Sequence, residues 1–205
     1  GDRDSDRGVR PGRWRLGAGV VVHDRSRQSA GDRKASRECG TEVRGTQRDQ
    51  LLPVARTMGP LTLTRSAEEH GGPHEPWFWD PTRQGGGVLL DMMCHCYEVA
   101  RFLLTEPGAP RNTLTPVSAN ATVSSLKWTR PEYAAKLKTM MGPQVDYMRA
   151  PAEDFARGTV VLRAADGREA MIEATTSWAY VGPGLRIQLE LLGPEYSMEF
   201  SSLNT

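Results

Sequence analysis

Apolar and polar residues alternate along the second half of this chain at two distinct periods, and the period changes mark out its elements. From Gly59 the text GPLTLTRSAEE places Leu61 and Leu63 at period two, as a half-buried strand does. Pro116–Trp128 repeats the pattern with Val117, Ala119, Ala121 and Val123, which predicts a strand with one covered face. Three further strand patterns, Asp154–Ala164, Glu169–Tyr180 and Leu185–Leu192, follow in quick succession with ADGR and VGPG as turns, and a short one closes the series at Tyr196–Phe200. Between the first two strands, Gly85–Leu104 reads as a helix that opens on three glycines and ends near Thr105, with Pro107 and Gly108 as stop signals. PEYAAKLKTMM predicts a second, shorter helix. Strand, helix and a run of strands predict an α+β fold: an open-faced, mainly antiparallel sheet backed by helices. Two helices are too few to cover both faces, so an apolar face is expected to stay open and to drive self-association.

Residues 1–58 differ in kind. They hold one of the chain's fourteen aromatics, Trp14, no isoleucine, and 13 Lys+Arg against 8 Asp+Glu. Such text does not bury a core alone, and the segment is expected to be disordered or a remnant, apart from a possible strand in LGAGVVV, Leu16–Val22. Residues 59–205 carry 13 basic against 17 acidic side chains, the remainder of the chain's 26 and 25, and form the folded domain. The near-zero net charge argues against nucleic acid as a partner. No apolar run approaches the roughly 18 residues of a membrane span, and GDRDSDRG lacks a signal core, so the expectation is a cytoplasmic protein without membrane contact. Three cysteines make no disulfide framework, and reduced thiols are the default.

The chemistry concentrates in the longer helix. Asp91 and His95 stand four residues apart and so share a helix face, among Val88, Leu89, Leu90, Met92, Val99, Ala100, Phe102, Leu103 and Leu104, which are apolar enough for burial. A carboxylate beside an imidazole can tune and relay a proton. The plainer alternative is that Asp91 complements the helix dipole while His95 is a satisfied interior histidine. Just upstream, His70–Gln84 packs three prolines, two glycines and three aromatics into fifteen residues, the composition of an ordered functional loop. Trp77 and Trp79, with His74 beside them, are the candidates for contact with a substrate, along the rim of the cleft that Asp91 and His95 face; the competing role for these aromatics is to anchor the loop. Asp91, Cys94, His95 and Cys96 also raise the question of a metal, yet on one helix Cys96 points away from the Asp91 and His95 face, so no metal site is expected.

GGPHEPWFWDPTRQGGGVLLDMMCH resembles the Gfo/Idh/MocA oxidoreductases, whose C-terminal domain carries a glycine pair, an aspartate and a histidine four residues on. This chain supplies Gly86, Gly87, Asp91 and His95, with Met93 where many members have glycine. The resemblance spans roughly residues 59–205. It implies the C-terminal substrate and dimerisation domain of a glucose-fructose oxidoreductase-like protein, in which His95 acts as acid or base on a sugar or polyol hydroxyl and Asp91 holds the histidine or the substrate. It also implies NAD or NADP, bound by an N-terminal Rossmann domain that ends in Glu-Lys-Pro, and a homo-oligomer built through the sheet face.

Neither a G-x-G-x-x-G fingerprint nor a Glu-Lys-Pro occurs in the chain. The cofactor-binding residues are therefore unassigned, and the expectation is a fragment, inactive alone, of an NAD(P)-dependent oxidoreductase. The alternative is a non-catalytic self-association module without the cofactor domain.

Overall fold

The computed structural model describes residues 14–16, 20–24, 59–106 and 108–203, and within them one mixed sheet of eight strands carries the fold. The strands are β1 (Trp14–Leu16), β2 (Val20–Asp24), β3 (Leu63–Glu69), β4 (Leu114–Ser124), β5 (Phe155–Ala164), β6 (Glu169–Ser177), β7 (Arg186–Leu192) and β8 (Tyr196–Ser201). Their order across the sheet is β1-β2-β8-β7-β3-β6-β5-β4. Only β3 and β6 pair in parallel; the other pairings are antiparallel. The helices are α1 (Pro81–Gln84), α2 (Val88–Leu104) and α3 (Pro131–Met141).

Two expectations about the sheet are corrected. β6 and β7 are not a hairpin across VGPG, because β3 lies between them and pairs with both. Strand order is a long-range property, and a Gly-Pro turn signal says only that the chain bends. β4 lies at the edge of the sheet, and Val117 and Val123 are 42% and 49% exposed instead of covered. From residues 1–58, β1 and β2 join the opposite edge through β8, while the rest of that segment lies outside the described residues.

One face of the sheet packs against α2. Val88, Met92, Cys96 and Ala100 recur every fourth residue and are buried, as are Met93 and Leu104. Toward the C-terminal end of α2, Ala100 and Leu104 join Leu61, Leu162, Ile172, Leu191, Tyr196 and Met198. Toward its N-terminal end, Val88, Met92, Met93 and Cys96 meet Trp79, Trp128, Leu137, Tyr147, Ala156 and Trp178. Leu89, Leu90, Val99 and Phe102, read from sequence as apolar enough for burial, are instead 37–57% exposed, because one helix presents one stripe to one sheet face.

The other face is open, and its centre is charged. Arg65 on β3 donates to Glu173 on β6 at 2.7 Å and to Glu190 on β7 at 2.9 Å, so adjacent strands are bridged by one guanidinium. Arg65, Glu173 and Glu190 line a shallow groove of about 620 Å³ with Arg157, Gln188 and Glu199. The expected apolar face is therefore a mixed one, since the period-two pattern sends polar residues outward across its middle.

Two consecutive acids, Glu153 and Asp154, tie the upper end of the domain together. The fully buried Asp154 carboxylate accepts the backbone N–H groups of Leu126 at 2.6 Å, Lys127 at 2.8 Å and Trp128 at 2.8 Å. Its backbone N–H donates to Ser124, and its carbonyl accepts from Trp178 at 2.8 Å and the Ser177 hydroxyl at 3.2 Å. Replacing Asp154 by alanine leaves the buried Trp128 amide without an acceptor, at a cost on the order of 1–3 kcal/mol, and takes the same acceptor from the less buried amides of Leu126 and Lys127, where water offsets part of the loss. Asp154→Ala should therefore lower unfolding stability by about 2 kcal/mol or more in a urea titration, and a loss below about 1 kcal/mol would show that the loop finds other partners.

Candidate functional site

α2 begins where the chain cannot carry a side chain. A Cβ on Gly87 would run into the Glu153 carbonyl oxygen, and the Gly87 and Leu89 amides donate to Glu153 Oε1 at 3.0 and 3.3 Å while Val88 N–H donates to the Glu153 carbonyl at 3.0 Å. The carboxylate thus satisfies amides that every helix start leaves free and sits favourably on the positive end of the dipole. This sets the rotation and height of α2 over the ends of β3 and β6, and with them the positions of Asp91 and His95.

Those two side chains take different partners. Asp91, half-buried in the first turn, accepts the indole N–H of Trp178 at 3.1 Å. His95, one turn on, has an exposed imidazole whose Nδ1 lies 3.0 and 3.2 Å from the two carboxylate oxygens of Glu68 at the end of β3. The spacing put both groups on one helix face and the resemblance had Asp91 hold the histidine or the substrate; in the structure the carboxylate at the ring is that of Glu68. Glu68 and Glu69 are sequence neighbours on a strand and therefore serve opposite faces, Glu68 meeting His95 on the helix side and Glu69 meeting Arg186 on the open side.

The aromatic loop divides its residues. Trp79 is buried, donates its indole N–H to the Pro73 carbonyl at 3.0 Å, and packs at ring-centroid distances of 5.1 to 5.4 Å on Trp128, Trp178 and Tyr147. Its surface is spent on the core, which removes it from exposed contact with a ligand. Trp77 is 39% exposed and stacks on Phe78 with centroids 3.8 Å apart. His74 is exposed. Asp80 closes the loop by accepting the Thr82 hydroxyl at 2.6 Å and the Thr82 amide at 3.0 Å, bonds that hold its carboxyl below the usual range. Trp178 links loop and helix, since it packs on Trp79 and hydrogen-bonds Asp91.

Among the described residues no group of three or more His, Cys, Asp or Glu side chains converges as a metal site would require, and no helix is long and apolar enough to cross a membrane.

The sequence model of the GFO/IDH/MocA C-terminal domain matches residues 55–199, most of the chain and all of β3 to β7. The chain belongs to the GFO/IDH/MocA family. Among solved structures this GFO/IDH/MocA domain is similar to GenD2 from gentamicin A biosynthesis in complex with NAD, at 24% identity and a TM-score of 0.50 over 74% of this chain and 34% of that one. Levoglucosan dehydrogenase in complex with NADH matches at 20% identity and a TM-score of 0.49 over 74% of this chain and 36% of that one. A putative myo-inositol dehydrogenase from Sinorhizobium meliloti matches at 18% identity and a TM-score of 0.47 over 78% of this chain and 42% of that one. The chain thus spans about a third of the length of the first two, 34% and 36%. No curated protein matches it.

Within the GFO/IDH/MocA domain, sequence reasoning missed Glu68, Glu153 and Trp178. Glu68 carried a weak signal, an acid at the end of a strand that precedes the motif helix; the others carried none, because their partners lie 66 and 87 residues away. The two helix cysteines differ as their directions predict: Cys94 is exposed, whereas burial pushes the Cys96 thiol up to about 11. A raised value means that Cys96 stays protonated through pH 8 and becomes a thiolate only in strong base. Iodoacetamide at pH 8 should therefore alkylate Cys94 in the folded chain and reach Cys96 only after denaturation, as peptide mass spectrometry would show; equal labelling of both in the native state would contradict the buried packing of α2.

Proposed function

We propose that this chain supplies the substrate side of an NAD(P)-dependent oxidoreductase that passes hydride between a nicotinamide and a sugar, polyol or related carbohydrate. The observation that carries the reading is the pair on α2 in a GFO/IDH/MocA domain: an exposed imidazole, His95, one turn from a half-buried carboxylate, Asp91, that an indole N–H holds in place. Removing hydride from a carbinol carbon leaves a hydroxyl proton to be accepted, and an imidazole does so near neutral pH. His95 takes that proton in oxidation and returns it in reduction. Asp91, anchored by Trp178, hydrogen-bonds the substrate's hydroxyl groups, and the exposed face of Trp77 offers an apolar surface to a sugar ring.

The described residues do not fit a dinucleotide cofactor. A pyrophosphate is held by free backbone amides at a glycine-rich helix start. At the one glycine-rich start here, Gly85–Gly87, the Gly86 amide donates to the Gln84 side chain, the Val88 amide to the Glu153 carbonyl, and the Gly87 and Leu89 amides to the Glu153 carboxylate, which also repels an anion. On this proposal the nicotinamide would rest on residues other than these. Self-association through the open face of the sheet is part of the same proposal.

Joined to the nicotinamide-binding domain of a family member, the chain should reduce NAD or NADP in the presence of a polyol such as myo-inositol or the sugar derivative levoglucosan. His95→Ala in that protein should lower kcat by about 100-fold or more, acid-base help being worth roughly 10²–10⁴, with cofactor affinity unchanged. Full turnover in the variant would return His95 to a structural role.

A further inference from the structure

The histidines His70 and His95 sit at the same end of the sheet, and their Nδ1 atoms face opposite kinds of partner. At His70, Nδ1 accepts the backbone N–H of Gly72 at 3.0 Å. An accepting nitrogen carries no proton, so the neutral His70 ring is protonated on Nε2. At His95, Nδ1 faces both oxygens of one carboxylate, Glu68 Oε1 at 3.2 Å and Oε2 at 3.0 Å. A carboxylate only accepts, so the shared hydrogen belongs to Nδ1 and the lone pair of the neutral ring stands on Nε2.

We infer that Glu68 is the positioning residue of this site, holding His95 as the Nδ1–H tautomer so that Nε2 is the atom that takes the substrate proton. The inference rests on the proposed role of His95 and adds the group that prepares it. Three features of the structure support it. Glu68 belongs to a strand hydrogen-bonded on both sides, with Thr176 of β6 and Ile187 of β7 as its register partners, so its backbone does not drift. Its side chain is 17% exposed against 58% for His95, which places the acceptor inside and the ring outside, with its far edge toward solvent. Asp91, the acid that spacing alone would choose, is engaged by the Trp178 indole. The two acids thus divide the work: Glu68 serves the histidine and leaves Asp91 for the substrate. A ring that presents Nε2–H instead would meet a hydroxyl with a donor and could not take its proton, which is why the tautomer matters to the rate and little to binding.

The test needs no turnover and uses the 205-residue chain. Uniformly ¹⁵N-labelled protein, at a pH where the rings are neutral and with signals assigned by single histidine substitutions, is examined by long-range ¹H–¹⁵N correlation, which distinguishes the tautomers. His95 should show the Nδ1–H pattern and His70 the Nε2–H pattern. Glu68→Ala should move His95 to Nε2–H, the form imidazole favours in water, while Glu68→Gln, whose amide oxygen still accepts, should keep Nδ1–H. The His70 signal serves as the folding control in each variant. Nε2–H at His95 in the native chain overturns the inference, as does Glu68→Ala leaving His95 unchanged with His70 intact; should the alanine variant unfold, the native and glutamine spectra decide. In the chain joined to a nicotinamide-binding domain, Glu68→Ala should cut kcat by at least about tenfold with substrate KM near its original value. Loss of the tautomer with no loss of rate would retain Glu68 as its holder and reject the catalytic reading of His95.

Discussion

The upper end of this domain depends on a pair of neighbouring carboxylates, Glu153 and Asp154, that replace missing secondary structure. Asp154 collects three consecutive amides of the segment after β4, and its backbone reaches Ser124 and Trp178, so the ends of β4, β5 and β6 are held through one residue. Glu153, the residue before it, takes the amides that open α2. A buried carboxylate is tolerable only because every lone pair in use faces a donor, and in return it organises a turn that has no ladder of its own. The aromatic cluster of Trp79, Trp128, Tyr147 and Trp178 packs beside these hydrogen bonds, and the Trp128 amide that Asp154 accepts belongs to a buried member of it.

That arrangement is what makes the candidate site rigid. α2 is pinned at its start by Glu153 and along its length by a buried stripe from Val88 to Leu104, so Asp91 and His95 are delivered on a helix that does not rotate. β3 delivers Glu68 from a strand flanked on both sides. Three chemical groups on two rigid elements, with Trp178 bonded to one of them, form a more precise constellation than a loop would hold. The same pinning has a chemical cost, since the amides of Gly86 to Leu89 are taken by Gln84 and Glu153 and are closed to a phosphate.

The sheet's two faces follow different rules. The helix side carries Ala156, Leu162, Ile172, Ala174, Leu191 and Met198 from β5 to β8, and from β3 the polar Thr64, Ser66 and Glu68, the last of which meets His95 of α2. The open side carries Arg65 between Glu173 and Glu190, where ion pairs exposed to water are worth little in stability, typically about 0–1 kcal/mol each, but set which surface can lie against them. Any copy of this chain that docks there must answer a charged centre.

Local periodicity and short-range geometry were legible in the residues alone. Strand and helix positions followed from the spacing of apolar residues; α3 occupies PEYAAKLKTMM as read, and α2 stops at the predicted turn. The glycine pair, Asp91 and His95 pointed to the GFO/IDH/MocA domain, and the single helix turn between the two side chains is a property of backbone geometry. Pairing across distance emerged only on folding: β3 lies between β6 and β7, β4 is an edge, Trp79 faces inward and Trp77 outward, and Glu68, 27 residues before His95, is the carboxylate at its ring. The reason is physical. Periodicity reports which side of an element is apolar, whereas the partner of a polar group depends on which elements are brought together, and that choice is made by the packing of the whole sheet.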